Sequence, residues 1–374
     1  MNDAWIADRM SRIEASGIRK AFEMARSMKD PINLSIGLPD FDVAGPVKAA
    51  AVEAIENGRN QYTLTTGLPE LRNKLQAVVD AEFSHADRQV MVTSGTSGGL
   101  LLALCAAVNP GDEVIVFDPY FVMYGNLVHL AGGTPVFVDT YPDFRLDADK
   151  VAAAITGRTK VVIANSPGNP TGVVATIDEM KRLAELCRAR GILLISDEVY
   201  RAFCYDRPFA TPATWNEDVL VVDGFSKAHG MTGWRLGFAH GPSRLIQEMA
   251  KLQQFSFVCA PSMVQHAGVV ALDQNLGPRV ASYRRKRDAV LDALSGLCEL
   301  SRPEGAFYAF PRAPWGTASE FVAEAIRHNL LIIPGNVFSR QDTHFRISYA
   351  VADSTLKRGL DVLRLLAQRA LATR

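Results

Sequence analysis

Between residues 90 and 240, short apolar runs recur. Most are followed by a polar loop, commonly bearing Gly or Pro, and then by a segment with apolar positions three or four apart. The runs are Val90–Thr93, Glu113–Phe117, Pro135–Val138, Lys160–Ala164, Ile192–Ser196, Val219–Val222 and Leu236–Ala239. Within them apolar side chains do not alternate with polar ones, as expected of strands covered by helices on both faces. The intervening stripes predict the helices, most clearly Met180, Leu183, Ala184 and Cys187. Strand, loop and helix in repetition predict an α/β protein with a mostly parallel, doubly wound, seven-stranded sheet. Ligands of such sheets bind outside the carboxyl ends of the strands.

The two ends of the chain read differently. Residues 1–30 predict a polar, partly helical arm. Pro31–Asp42 predicts an extended segment ending in a Gly/Pro turn. A helix follows through Val47, Ala51, Ala54 and Ile55, with Pro46 in its first turn, and another begins near Pro69 after the loop Gln61–Gly67. Beyond about residue 280 a helix leads to Ala306–Phe310, Phe321–Ile326, Leu330–Pro334 and His344–Tyr349. A last amphipathic helix holds Leu356, Leu360 and Leu363. Helices mixed with short strands predict a smaller α+β domain. The expected division is 1–45 for the arm and part of the small domain, 46–282 for the large ligand-binding domain, and 283–374 for the C-terminal small domain.

Charge narrows the function classes. Lys+Arg and Asp+Glu both number 40, which argues against a nucleic-acid or membrane-surface partner. The most basic run, Arg284–Arg287, reads as a solvated helix face. Cys105, Cys187, Cys204, Cys259 and Cys298 form no C-x-x-C pair, as expected of a reduced, cytoplasmic protein with buried thiols. Met1–Met10 has no apolar core of a signal peptide, and Leu100–Val108 is too short to span a bilayer. No metal site is expected.

The candidate chemistry concentrates in Asp223–Gly237. Lys227 lies on the turn leaving one apolar run, and Arg235 lies eight residues on, at the start of the next. Desolvation lowers a lysine from its usual value of about 10.4 and makes it a candidate nucleophile for a carbonyl. The planar fork of an arginine suits phosphate. Together they point to a phosphorylated aldehyde, pyridoxal phosphate; alone, a Ser-Lys on a loop is a solvated lysine. Other strand ends add to this picture. Ser94–Gly99 opens an apolar helix with small residues, so Gly95, Thr96 and Ser97 can face an anion at a helix N-terminus or simply cap it. Tyr120 or Phe121 can stack on a flat ring or pack in the core. Asn169, in Asn165–Gly172, can hydrogen-bond a phenolate oxygen or fix its turn. Asp197 can hold a pyridinium or cap its loop, with Tyr200 reaching the ring from another side. Arg346, inside the apolar run His344–Tyr349, needs an anion, and a substrate carboxylate is one.

In this order the segments closely resemble the class I/II aminotransferases, fold type I pyridoxal-phosphate enzymes of the aspartate-aminotransferase-like branch. The resemblance runs from Ser35–Phe41 to Phe345–Ser348 and is most specific in Asn169–Gly172, Asp197–Tyr200, Ser226-Lys227 and Gly233–Arg235. It implies that Lys227 bonds the cofactor aldehyde and then shuttles a proton, and that Asp197 pairs with the pyridine nitrogen. It further implies that Tyr200 and Asn169 hold the ring oxygen, that Gly95, Thr96, Ser97 and Arg235 hold the phosphate, and that Phe121, with Tyr120 as the alternative, stacks on the ring. Arg346 would bind the substrate α-carboxylate with Asn169 and the backbone at Gly37. Tyr62 would reach the phosphate across a homodimer interface. Where many relatives have a phosphate-binding serine three residues before the lysine, this chain has Gly224, which leaves Ser226 as the candidate for that contact. No second arginine for a dicarboxylate side chain can be placed.

The implied activity is ping-pong transfer of an amino group between an L-amino acid and a 2-oxo acid. A β-lyase, decarboxylase or racemase would use the same cofactor residues. From another class, Gly95–Gly99 also matches the G-x-S-x-G elbow of serine hydrolases, with Ser97 as nucleophile and His229, His240, His266, His328 or His344 as its base. Gln253–Pro261 and the arm are expected to line a mostly apolar side-chain pocket for neutral or aromatic substrates.

Overall fold

In the computed structural model the described residues are 5–15, 17, 26 and 28–372. The readings of Met1–Met10 and of a partly helical arm lie partly outside them. Of the arm, Asp8–Arg12 forms a short 3-10 turn. Strand β1 (Ile32–Asn33) follows, then helices Gly45–Glu56 and Pro69–Glu82, each with proline in its first turn. Proline fits there because those N–H groups have no intrahelical partner.

The sheet strands are β2 (Arg88–Thr93), β3 (Glu113–Asp118), β4 (Thr134–Asp139), β5 (Thr159–Asn165), β6 (Leu193–Asp197), β7 (Leu220–Gly224) and β8 (Gly237–Pro242). Their order is β2-β8-β7-β6-β5-β3-β4. Only β8 runs antiparallel to its neighbours, so the sheet is mostly parallel, as predicted.

Successive residues of these strands enter two different cores, which is why the runs are apolar throughout. Val90, Val92, Ile115, Val162, Leu194 and Val221 pack with helices Gly45–Glu56, Pro69–Glu82 and Ile177–Arg190. Met91, Val114, Val116, Ile163, Ile195 and Val222 pack on the opposite face, with Gly95–Ala107, Met123–Leu130 and Ser243–Ser256. Helix Ile177–Arg190 shows how local sequence sets an element. Thr176 and Glu179 cap each other's backbone N–H at its start, and Gly191 turns left-handed at φ 61° at its end.

The C-terminal elements are helix Gly277–Leu294, β9 (Tyr308–Ala309), helix Ala318–Arg327, β10 (Leu330–Leu331), β11 (Ile333–Pro334), β12 (Phe345–Ser348) and helix Asp353–Ala372. Strand β1 pairs in parallel with β10, and β11-β12-β9 form a small antiparallel sheet. A third core joins Ile32 and Leu34 to these elements and to Tyr200, Phe203 and Tyr205 from beyond β6.

One reading is corrected here. Arg284–Arg287 is not a solvated face throughout, because Lys286 and Arg287 turn inward. Arg287 donates to both carboxylate oxygens of Asp206, at 2.8 and 3.0 Å, and Lys286 to Asp40. Those carboxylates are far away in sequence, so the run gave no sign of them. All five cysteines are unpaired, but only Cys187 is fully buried and Cys105 is exposed. Among the described residues no helix is long and apolar enough to cross a membrane, and no group of His, Cys, Asp and Glu could hold a metal ion.

Candidate active site

The carboxyl ends of β2, β5, β6 and β7 open onto a cavity of about 670 Å³. One corner is built for an anion. Helix Gly95–Ala107 starts directly after β2 and points its N-terminus at the cavity wall. Gly95 has φ +71°, and a Cβ there would lie 2.4 Å from Arg235 Nη2, so glycine is what lets the guanidinium cross the helix end. Arg235, itself left-handed at φ 58°, donates to Ser97 Oγ at 2.7 Å. Thr96 Oγ1 is buried without a hydrogen-bond partner. A Cβ at Gly224 would sit 2.8 Å from that same oxygen and 3.1 Å from Gly237 Cα. A side chain at position 224 would therefore have to displace the Thr96 hydroxyl, whereas Ser226 lines the cavity.

At the other end β6 delivers Asp197, buried at its mouth. Asp197 Oδ2 accepts from Tyr124 Oη at 2.7 Å and Oδ1 from the Val199 N–H at 3.3 Å, so it also caps its own loop. Burial pushes this carboxyl up to about 6 despite both bonds. Lys227, just past β7, donates from Nζ to Gly37 O at 2.8 Å. Burial above all, then the charges of Arg346 and Arg235, bring its amine down to about 8.

Arg346, on β12, lies 4.6 Å from the Tyr308 ring centroid and 4.4 Å from that of Phe338. It donates to Asn169 Oδ1 at 3.0 Å and Ser35 O at 2.7 Å, both neutral, while its buried Nε has no partner. Asn169 is set in its turn by its own N–H, which donates to Asn165 Oδ1 at 2.9 Å. Phe121 lines the cavity, whereas Tyr120 stacks on Phe137 at 4.7 Å.

Of the residues singled out in the sequence, the cavity gathers Gly37, Thr96, Ser97, Phe121, Asn169, Asp197, Tyr200, Ser226, Lys227, Arg235 and Arg346, with Gly95 against Arg235. Tyr62 is not in its lining and stands 83% exposed. The arm contributes Ile13 and Glu14, but Gln253–Pro261 does not line the cavity. Gln253 instead turns inward to donate to Val92 O at 2.9 Å, and Phe255 faces out. None of the five histidines weighed as a hydrolase base lines the cavity, and Ser97 is engaged by a guanidinium. Tyr124, Asn165 and Tyr308 also line the site and were missed. An aromatic in an apolar stretch carries no local mark of such a role.

These features fit one kind of group. A helix end, an arginine fork and an unpartnered hydroxyl suit a phosphate. A buried carboxylate and a buried amine of lowered basicity suit a pyridine ring bearing an aldehyde. The family model for aminotransferase class I and II matches residues 29–363. An aspartate aminotransferase of Pyrococcus abyssi is 36% identical over 95% of this chain and 96% of its own. An aromatic-amino-acid aminotransferase of Thermococcus litoralis is 34% identical over 95% of this chain and 96% of its own. The solved aspartate aminotransferase of Thermus thermophilus with maleate superposes with a TM-score of 0.91, at 33% identity over 96% of this chain and 99% of that one.

The chain belongs to the class I and II aminotransferases and has their fold type I architecture. It is a pyridoxal 5'-phosphate enzyme that moves an amino group between an amino acid and a 2-oxo acid.

Proposed function

We propose that this cavity carries out both halves of a ping-pong transfer, with Lys227 as the amine that bonds the cofactor aldehyde. Bound pyridoxal 5'-phosphate supplies the electron sink for the charge left when the α-proton departs. Asp197 keeps its ring nitrogen protonated, and Asn169 and Tyr200 hold its ring oxygen. Gly95, Thr96, Ser97, Ser226 and Arg235 hold its phosphate, and Phe121 covers the ring. Arg346 binds the substrate α-carboxylate, with Asn169 and the backbone of Gly37. Once displaced by the incoming amino acid, Lys227 Nζ takes the proton from the α-carbon. The observation that carries this reading is a buried amine lowered to about 8 in the same cavity as a buried guanidinium whose bonding partners are neutral.

The lining of the cavity includes Ile13, Ile36, Leu38, Val122 and Met123, together with Glu14. That lining favours neutral or aromatic side chains over acidic ones, although relatives are named for aspartate as well as for aromatic amino acids. The outward stance of Tyr62 supports a homodimer in which it reaches the partner's phosphate. The packing of β1 with the C-terminal elements supports a small domain of 1–45 and 283–374 beside a large one of 46–282. Unpaired cysteines support a cytoplasmic enzyme.

The test is the visible spectrum of the purified enzyme while amino acids are added with no oxo acid present. The cofactor band is expected to convert stoichiometrically to the amine form, fastest with neutral donors, and to persist unconverted in Lys227→Ala. A band that stays while pyruvate or carbon dioxide is released would place the enzyme among lyases or decarboxylases.

A further inference from the structure

Tyr308 belongs to no motif, yet its hydroxyl stands where the cofactor end and the substrate end of the site meet. It lies on β9 opposite Ser348 of β12, two residues from Arg346. Its Oη is 2.9 Å from the hydroxyl of Tyr200, both buried, and the two rings meet edge-on at 5.6 Å. Arg346 covers its ring at 4.6 Å. On the third side a Cβ at Gly37 would come within 2.2 Å of Tyr308 Oη. Glycine thus opens the place the hydroxyl occupies, beside the carbonyl that accepts from Lys227.

A hydroxyl has one proton to donate. If Tyr200 gives its proton to the ring oxygen of the cofactor, as proposed above, it cannot also give it to Tyr308. The bond between the two hydroxyls must then run the other way. We propose that Tyr308 is a positioning residue that donates to Tyr200 and thereby fixes Tyr200 as the donor to the ring oxygen of pyridoxal 5'-phosphate. This rests on the role assigned to Tyr200. A hydroxyl that accepts a hydrogen bond is a stronger donor in turn. With the cofactor bonded to Lys227, its ring oxygen would be the acceptor able to stabilise a proton on the linking nitrogen. The more firmly Tyr200 donates, the less firmly that proton is held.

The charged groups acting on the pair are Arg346 and Asp197. Lys227 Nζ stands 5.8 Å from the Tyr200 ring centroid, and the pair in turn acts on Tyr124 and Tyr283. Tyr308→Phe leaves all of them in place. The test follows the pH midpoint of the colour change of the holoenzyme by absorption. Tyr308→Phe is expected to raise that midpoint by about half a pH unit. Tyr200→Phe should raise it further, and adding Tyr308→Phe in that background should change nothing more. Tyr308→His, which restores a donor, should bring the midpoint back toward the starting value. A midpoint unmoved by Tyr308→Phe, or a fully additive double variant, overturns the inference while leaving Tyr200 in its role. A midpoint unmoved by Tyr200→Phe overturns that role, and the inference with it. Thermal melts of each holoenzyme show whether a variant has lost its fold, and the histidine variant keeps the question answerable if phenylalanine is not tolerated.

Discussion

Arg287 and Arg346 are each only 1% exposed, yet their surroundings differ in kind. Arg287, where helix Gly277–Leu294 meets the loop holding Asp206, is fully answered. It forms a two-pronged pair with Asp206, bonds Asp288 at 2.7 Å and gives a further bond to Pro303 O at 2.6 Å. Arg346 has an amide oxygen, a carbonyl oxygen and two aromatic faces, and its Nε is left over. Burying a guanidinium costs several kcal/mol, which only a good counter-ion offsets. The first region closes its electrostatics within the chain and is structural. The second leaves a positive charge open beside a cavity, as a site for an anionic substrate requires.

The largest effect expected from this contrast is on catalysis. Arg346→Met removes a buried charge whose bonding partners are neutral, so stability in urea should stay within about 1 kcal/mol of the starting protein or rise. Loss of the carboxylate clamp should lower kcat/KM by roughly a thousandfold, mainly through KM. A large fall in stability with catalysis intact would break the comparison. Arg287→Met should do the reverse. It leaves Asp206, which Arg287 and then Arg302 hold down to about 2, without its main partner. Unfolding free energy should drop by about 3 kcal/mol, while kcat/KM per folded molecule stays within about twofold. An unaltered denaturation midpoint for Arg287→Met would show that the closed region is no more structural than the open one.

The same contrast separates what the sequence made legible from what it hid. The seven sheet strands were recognisable because burial on both faces leaves an uninterrupted apolar run, and their ends moved by no more than a few residues. Lys227, Asp197 and Arg235 were recognisable because each follows or precedes such a strand, so local sequence gives both the residue and its position. Arg346 stood out as a charge inside an apolar run. Arg287 was misread because its partner lies 81 residues away. Tyr124 and Tyr308 escaped for the same reason, their partners Asp197 and Tyr200 lying 73 and 108 residues off. Gln253–Pro261 misled in the opposite sense. Its mostly apolar composition suggested a pocket wall, but Gln253 is drawn inward by backbone carbonyls and Phe255 is left 87% exposed.

The smallest effect sharpens the comparison most, because it reads the open charge directly. After burial, Arg346 is the leading cause that holds the Lys227 amine down to about 8, followed by Arg235, with Asp197 pulling the other way. Only the neutral amine attacks an aldehyde. Capture of pyridoxal 5'-phosphate by the apoprotein should therefore be slow well below pH 8 and quicken as the pH rises through about 8. In Arg346→Met a nearby cation is gone and the ammonium is less disfavoured. The midpoint should move upward, by less than about one unit. In Arg287→Met it should stay where it is, since Arg287 is not among the groups acting on Lys227. Stopped-flow absorbance across a pH series measures both variants. A midpoint that ignores Arg346 would mean that its charge is already neutralised before any substrate arrives, and the distinction between the two buried arginines would lose its electrostatic basis.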